Sequence, residues 1–456
     1  MTDTIAAIAT GGAVAAIGIV RVSGPAAITV ADKVFHAVGN VRMAHAKDRH
    51  MYYGELLGID DGLVDICMCM VSRGPNSYTG EDTAEFHCHG SPVVLTEVLR
   101  EIFAHGVRQA QPGEFTKRAF LNGRMDLTQA EAVIDLIEAE TPGAAKNAAG
   151  QLKGAVAARL EPIYSTLLDI MAHFHAVIDY PDEDIDEFNM QSYNSLLRGT
   201  DEELAIMLQT YEDGKVLRNG IPTAIIGRPN TGKSSLLNAL VGYERAIVTD
   251  LPGTTRDTIE EKVLIGGTLL RIIDTAGLRK TDDAVEKLGI ERTRDALNNA
   301  GLVLLALDGA EPLRDEDTEA IKSLPPDVPC VAVVTKLDLP QIVSDDELRS
   351  MSLNFCRVSA VTGAGLSELN AEIKKRIPEV TANPHGELIT NARQADAISR
   401  ARDSVRQAIA AIEDRITPDA VLTEIESALT VIGEITGSVM REDITDRIFE
   451  RFCVGK

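Results

Sequence analysis

Apolar positions along the chain change period from one segment to the next, and those changes mark out its parts. Residues 16–22 alternate like a half-buried strand, and 26–38 carry helical spacing. A hairpin is expected to join 50–58 to 63–71 through Asp60-Asp61-Gly62. The turn-rich loop Arg73-Gly74-Pro75-Asn76-Ser77-Tyr78-Thr79-Gly80-Glu81-Asp82 leads into an expected strand at 83–88 and a helix at 92–105. A second polar loop, Gln111-Pro112-Gly113-Glu114-Phe115, precedes 118–124. The opening stretch 4–20 is apolar but has no basic segment ahead of it, so it reads as a first β-strand and not a signal peptide. This N-terminal part is therefore α+β. Its two polar loops are compatible with a ligand pocket, although spacing alone favours plain connections.

Residues 126–213 are expected to be helical. Leu152, Val156, Leu160, Ile163, Leu167, Ile170, Phe174 and Val177 step by three or four along one apolar face. Pro162 interrupts that run and predicts a kink or a restart. His173 and His175 stand two apart on a helix, which points them to different faces and argues against a metal pair. The acidic run 182–187 reads as a solvated terminus or loop. From 216 to 378 strand and helix patterns alternate, with strands at 302–307, 331–334 and 355–358 and a Gly266-Gly267 hairpin between 260–264 and 269–273. Helical spacing returns from 391. The simplest division is a domain at 1–122, a helical domain built from 123–215 and 379–456, and a mostly parallel α/β domain at 216–378 inserted into it.

Size and charge narrow the function. A chain of 456 residues is too long for one core. No apolar run reaches the roughly eighteen residues of a membrane span. Net charge is −24, from 45 basic and 69 acidic residues, which argues against a broad basic face for nucleic acid. An RNA substrate would then be gripped largely by a partner. Cysteines 67, 69, 88, 330, 356 and 453 show no C-x-x-C pairing, and Cys67 and Cys69 have poor zinc spacing. A reducing, cytoplasmic setting fits best.

The chemistry centres on Gly227-Arg228-Pro229-Asn230-Thr231-Gly232-Lys233-Ser234, a full G-x-x-x-x-G-K-[ST] phosphate loop between an expected strand and a helix that opens with Ser235. Successive backbone N–H groups and a helix N-terminus would face an anion there. Lys233 would reach the β- and γ-phosphates, and Ser234 would hold Mg²⁺. Asp274-Thr275-Ala276-Gly277 ends a later strand, where Asp274 can hold the Mg²⁺ water shell and the Gly277 amide can sense the γ-phosphate. Between the two, Pro252-Gly253-Thr254-Thr255-Arg256-Asp257 carries a threonine able to complete the Mg²⁺ shell, Thr255 being the assignment. Thr335-Lys336-Leu337-Asp338 follows a strand, and Asp338 can accept from N1 and N2 of guanine, donors that adenine lacks. Ser359-Ala360 follows the next strand, where an amide could read guanine O6. Four ordered elements at strand ends predict a GTPase. Two departures stand out. Leu278 occupies the place of a water-orienting glutamine, and Thr335 replaces the usual asparagine, which puts one guanine contact in question.

Along essentially its whole length the chain resembles the MnmE (TrmE) family of bacterial tRNA-modification GTPases. The resemblance is carried by the GTPase core and by Gly18-Ile19-Val20-Arg21-Val22-Ser23-Gly24, the 74–82 loop and Pro112-Gly113-Glu114-Phe115. To these add Arg118-Ala119-Phe120-Leu121-Asn122-Gly123-Arg124-Met125-Asp126-Leu127, Gly433-Glu434-Ile435-Thr436-Gly437 and the closing Phe452-Cys453-Val454-Gly455-Lys456. It implies a homodimer formed through N-terminal domains that bind 5-formyl-tetrahydrofolate or a related folate, with Arg21, Glu85, Arg124 and Lys456 at that site. Without the resemblance, Arg21 and Arg124 read as ordinary ion-pairing residues.

The resemblance also implies a K⁺ ion beside the phosphates in place of an arginine finger. Asn230 would offer its side-chain oxygen, and carbonyls of Thr249, Leu251 and Thr254 would complete the shell. Asp250, Pro252 and Gly253 belong to the same nucleotide-binding segment. Glu286 matches the family's residue that orients the attacking water through a second water. Arg256 and Arg279 are ranked as ion-pairing residues, not fingers. Cys453 is assigned as a candidate nucleophile, with a small buried hydrophobe as the equal alternative.

The implied function is K⁺-activated GTP hydrolysis, with Mg²⁺, that drives opening and closing of paired GTPase domains. With an FAD-dependent partner resembling MnmG (GidA), in a heterotetramer or larger complex, the chain would modify C5 of the wobble uridine, position 34, of certain tRNAs to carboxymethylaminomethyl- or aminomethyl-uridine. Two alternatives stay open: a ribosome-assembly GTPase switch without modification chemistry, and a folate-dependent one-carbon transferase with a regulatory GTPase domain.

Overall fold

The computed structural model describes residues 3–179, 189–243, 261–273, 297–377, 386–439, 445, 448–450 and 452–455. Among these, the N-terminal strands are β1 (Ile5–Ile8), β2 (Ala15–Ser23), β3 (Phe35–Ala37), β4 (Met51–Leu57), β5 (Leu63–Ser72), β6 (Thr83–Gly90) and β7 (Arg108–Gln109), in sheet order β3-β4-β5-β6-β2-β1-β7. Period-two alternation turns Val20, Val22, Cys67, Cys69, Val71, Ala84 and Phe86 into a core beneath α1 (Ala27–Val34) and α2 (Pro92–Phe103). The intervening residues Arg21, Glu85 and His87 consequently share the other face. A short helix, α3 (Glu114–Leu121), follows β7.

Two expectations need correction here. The helical repeat over 26–38 forms a helix only to Val34; Phe35 turns extended (φ −123°, ψ 126°) and starts β3. Phe35 is buried against Phe86, with ring centroids 6.4 Å apart, and pairs with Leu56. Aromatic burial and cross-strand pairing outweigh the helical spacing. The single opening strand is in fact two, β1 and β2, antiparallel from Ile5↔Ser23 to Ile8↔Val20.

The next helices are α4 (Leu127–Ile137), α5 (Pro142–Leu152), α6 (Ala155–Asp179) and α7 (Met190–Asn219). Asp126 and Gln129 form a capping box on α4, and Thr141 caps α5 ahead of Pro142. Helix α6 runs through Pro162 without restarting. Its Leu160, Ile163 and Leu167 are buried in one cluster, which holds the helix together where the proline removes a donor. The expected acidic run at 182–187 lies outside the described residues.

The inserted domain carries β8 (Ile221–Ile226), β9 (Glu261–Ile265), β10 (Thr268–Ile273), β11 (Leu302–Asp308), β12 (Cys330–Thr335) and β13 (Phe355–Arg357), ordered β13-β12-β11-β8-β10-β9. All neighbours are parallel except β9, which pairs antiparallel with β10. Helices α8 (Lys233–Tyr243), α9 (Asp315–Lys322), α10 (Asp345–Ser350) and α11 (Leu366–Lys374) follow its strands. Strand β11 is buried along its whole length, as a central strand covered on both faces must be. Finally α12 (Ala392–Glu413) and α13 (Pro418–Thr436) return to the first helical segment. Ile398, Val405, Ile425 and Ile432 share one core with Leu167, Phe174, Leu197 and Leu204. The helical domain is thus discontinuous, with an α/β domain inserted, as the sequence pattern predicts. Among the described residues no helix is long and apolar enough to cross a membrane.

Candidate functional site

The phosphate loop leaves the C-terminal end of β8 and enters α8 at Lys233. Ligands of open parallel sheets gather at that end of the strands. Gly227 has φ +144°, and a Cβ there would lie 2.3 Å from the Ala306 carbonyl oxygen, so no other residue fits. Asn230 (φ +65°) and Gly232 (φ +88°) bend the loop so that it wraps back to the helix N-terminus. The Thr231 hydroxyl donates to the Arg228 carbonyl at 3.0 Å. Lys233 Nζ donates to the carbonyls of Gly227 and Arg228, each at 2.8 Å. Burial, and secondarily the nearby Arg228, push the Lys233 ammonium below its ordinary pKa. Asn230, Ser234 and Ser235 are exposed along the same rim.

Arg228 is a structural member of this loop that sequence reasoning left without a role. Its buried guanidinium pairs with Glu311 at 2.8 Å and with Asp317, in the first turn of α9, at 3.2 Å. That pairing holds the phosphate loop against the segment after β11.

Residues expected to read guanine collect beside the loop, after β12 and β13. The Thr335 hydroxyl donates to the Thr231 carbonyl at 2.6 Å, with the Leu307 carbonyl at 3.1 Å. A hydroxyl has one proton, so the shorter contact takes it and ties the two loops together. Lys336 Nζ pairs with Asp308 at 2.6 Å. Burial would raise the Asp308 carboxyl, but the hydrogen bonds from Lys336 and the Ala310 amide hold it below the usual range. Ser359 Oγ donates to Asp338 at 2.6 Å, and the Thr362 amide donates to Ser359 Oγ at 3.1 Å. This chain fixes the carboxylate's direction, with Ala360 beside it. Thr249, Asp250, Leu251, Pro252, Gly253, Thr254, Thr255, Asp274, Thr275, Ala276, Gly277, Glu286 and Lys456 lie outside the described residues.

A second cluster stands on the open face of the N-terminal sheet. Arg21 and Glu85 are direct cross-strand partners, joined at 2.8 Å. The Arg21 guanidinium sits 5.2 Å from the Tyr78 ring centroid and 5.8 Å from that of Phe115, so both polar loops reach it. His87 Nε2, at 3.4 Å from Glu85, together with Arg21 outweighs burial and holds the Glu85 carboxyl down to about 2. Arg124 is exposed and packs its stem against Gly80. A cationic plane framed by aromatic rings and a fixed carboxylate suits a flat ligand with both donors and acidic groups.

Arg118, not Arg124, is the buried anchor of this region. It is fully buried and reaches Glu81 at 3.1 Å, Asp3 at 2.9 Å and Glu114 at 2.9 Å. Glu81 also accepts from Ser23 Oγ at 2.8 Å, and Asn122 donates to the Thr79 carbonyl at 2.7 Å. The two loops are thereby locked to each other and to the chain start. The C-terminal tail docks on the second loop: Val454 bridges Pro112, and the Gly113 amide donates to the Cys453 carbonyl at 3.3 Å. Gly455 lies so close to Ile8 that a Cβ would be 2.2 Å from its carbonyl oxygen. Cys453 is an exposed thiol, which removes the buried-hydrophobe reading.

Known proteins resemble this chain over its whole length. A family model described as the GTP-binding protein TrmE N-terminus matches residues 4–124, and one described as the MnmE helical domain matches 127–453. The tRNA modification GTPase MnmE of Symbiobacterium thermophilum is 42% identical over 456 residues, covering 100% of this chain and 99% of that one. Its namesake in Clostridioides difficile (strain 630) is 40% identical over 460 residues, with 100% and 99% covered. Among solved structures, the G domain of the T. maritima FeoB iron transporter is 27% identical and covers 34% of this chain and 98% of its own, but its TM-score of 0.27 is too low to bear on the fold. With its helical and N-terminal models matched and relatives aligned end to end, the chain belongs to the MnmE family of tRNA-modification GTPases.

Proposed function

We propose that the chain is a K⁺-activated GTP hydrolase that works with an FAD-dependent, MnmG-like partner to modify C5 of uridine 34 in certain tRNAs. The products are carboxymethylaminomethyl- or aminomethyl-uridine. The observation that carries the reading is the convergence, at the C-terminal end of the sheet's strands, of the phosphate loop and the Asp338–Ser359 pair, joined through Thr335. Lys233 exchanges its two loop carbonyls for phosphate oxygens, and Asp338 accepts hydrogen bonds from N1 and N2 of guanine while Ser359 holds it in place. The donor set suits the expected ions. Ser234 and Thr255 are hydroxyl ligands for Mg²⁺. The exposed carboxamide of Asn230 and the carbonyls of Thr249, Leu251 and Thr254 make an all-oxygen set for K⁺. When bound, K⁺ would supply positive charge beside the β–γ bridging oxygen, the task an arginine finger performs in other GTPases. Glu286 orients the attacking water.

GTP hydrolysis drives the paired domains open and shut and contributes no atoms to the tRNA. The N-terminal cluster of Arg21, Glu85 and Arg124, with Lys456, holds the folate of a homodimer, and Cys453 stands as the reactive thiol on the tail docked there. A folate in that site supplies a one-carbon unit. The net charge of −24 fits a complex in which the partner carries most of the tRNA contact. The test is reconstitution with unmodified tRNA, the flavoprotein partner, GTP and folate, followed by nucleoside mass spectrometry. Modified uridine only when both proteins and GTP are present supports the reading. Modification by this chain alone would favour the one-carbon transferase, and its absence in every combination would favour a switch without modification chemistry.

A further inference from the structure

In sequence, the hairpin β9–β10 lies between the segment that holds Thr249–255 and the one that opens at Asp274. Its solvent-side residues Lys262 and Arg271 are direct cross-strand partners. Both point at one carboxylate outside the α/β domain. Lys262 Nζ lies 2.7 Å from Glu140 Oε1, and an Arg271 nitrogen lies 3.5 Å from the same oxygen. Glu140 stands in the short turn between α4 and α5, next to the Thr141 cap.

That turn is poorly placed to absorb motion. On one side, Asn147 and Gln151 of α5 donate to the Leu388 carbonyl at 3.3 and 2.6 Å. On the other, Asp135 of α4 pairs with Arg218 at 2.7 Å and accepts from Thr390 at 3.1 Å. Buried Glu131 pairs with Arg393 at 2.8 Å and accepts from Gln394 at 2.7 Å. The Asp126 cap of α4 lies two residues beyond Arg124 of the N-terminal cluster. A helix held by buried charge pairs moves as a body or not at all.

We propose that Glu140 is the positioning residue through which nucleotide-dependent displacement of the β9–β10 hairpin is passed to α4, and along it to the N-terminal site. This rests on the reading that GTP and GDP place the flanking segments differently. The Lys262–Glu140 pair is partly exposed and adds little to stability. Its role is to transmit, and salt or charge changes there should uncouple the domains without unfolding either.

The test uses full-length protein in K⁺ and Mg²⁺, with GDP or guanosine 5′-(β,γ-imido)triphosphate, and reads hydrogen exchange in peptides covering 261–273 and 127–141. In the wild type both regions should respond to the exchange of nucleotide. In Glu140→Gln the hairpin should keep its response while the α4 response falls at least several-fold, with the thermal unfolding profile unchanged. Glu140→Lys combined with Lys262→Glu should restore it. An undiminished α4 response in Glu140→Gln overturns the proposal. A wild-type hairpin that responds without α4 overturns it as well and leaves the switch reading intact. A wild-type hairpin that ignores the nucleotide overturns both.

Discussion

Replacing Arg118 by methionine keeps the stem and most of the volume but removes a guanidinium from three carboxylates. Two of these retain a cation, because Arg108 lies 2.6 Å from Glu114 and 2.7 Å from Asp3. Glu81 does not; among the described residues its carboxylate keeps the Ser23 hydroxyl at 2.8 Å. Breaking a buried ion pair from one side costs about 3–5 kcal/mol, and the surviving Arg108 places this case near the lower end, about 3 kcal/mol. With a urea slope of about 2 kcal/mol per molar, the N-terminal domain's midpoint should drop by about 1.5 M. A chain of several domains does not unfold in one step. The assay is therefore pulsed hydrogen exchange across a urea series, followed in peptides from 73–90. Arg118→Lys, which keeps charge but not the planar fork, should recover part of the loss. A shift in Arg118→Met worth less than about 1 kcal/mol would refute the reasoning and mean that the loops are held by other contacts.

Two further outcomes follow from the same geometry. Glu85 titrates at about 2 in the folded chain against an ordinary 4.5, so its contribution is present above pH 4.5 and is lost as pH falls through 2. That depression corresponds to on the order of 3 kcal/mol, and Glu85→Gln should flatten the acid limb of the N-terminal domain's stability profile between those values. Asp338→Asn should weaken GTP binding by about 10–100-fold, through loss of charge-assisted hydrogen bonds worth about 1.5–3 kcal/mol. It should improve binding of xanthosine triphosphate, whose C2 carbonyl oxygen accepts from the new amide. Equal losses for both nucleotides would show that Asp338 shapes the loop and does not read the base.

Much of this architecture was legible because it rests on local chemistry. The phosphate loop, the guanine motif and the α6 face each depend on residues close together in sequence, where spacing maps directly onto geometry. Failures came where distant partners decide. Phe35 carries a helical repeat but is drawn into a strand by Phe86 and Leu56. Arg118 and Arg124 look alike in sequence. Asp3 and Glu81, both distant in the chain, select Arg118 for burial. Thr335 puts one guanine contact in question by its sequence, and only the fold shows its hydroxyl bridging to Thr231 across the sheet end. The tail's docking on Pro112 likewise joins residues from opposite ends of the chain, which no local period can reveal.

The central claim is a cation-activated GTPase, and the direct measurement is GTP hydrolysis in K⁺ against Na⁺ at equal ionic strength. The φ of +65° at Asn230 shapes the control. Alanine there adds backbone strain, so Asn230→Gly, which removes the carboxamide and keeps the conformation, belongs beside Asn230→Ala. Strong stimulation by K⁺ that both variants abolish is the predicted result. Equal rates in K⁺ and Na⁺, or stimulation that survives in Asn230→Gly, would contradict the account.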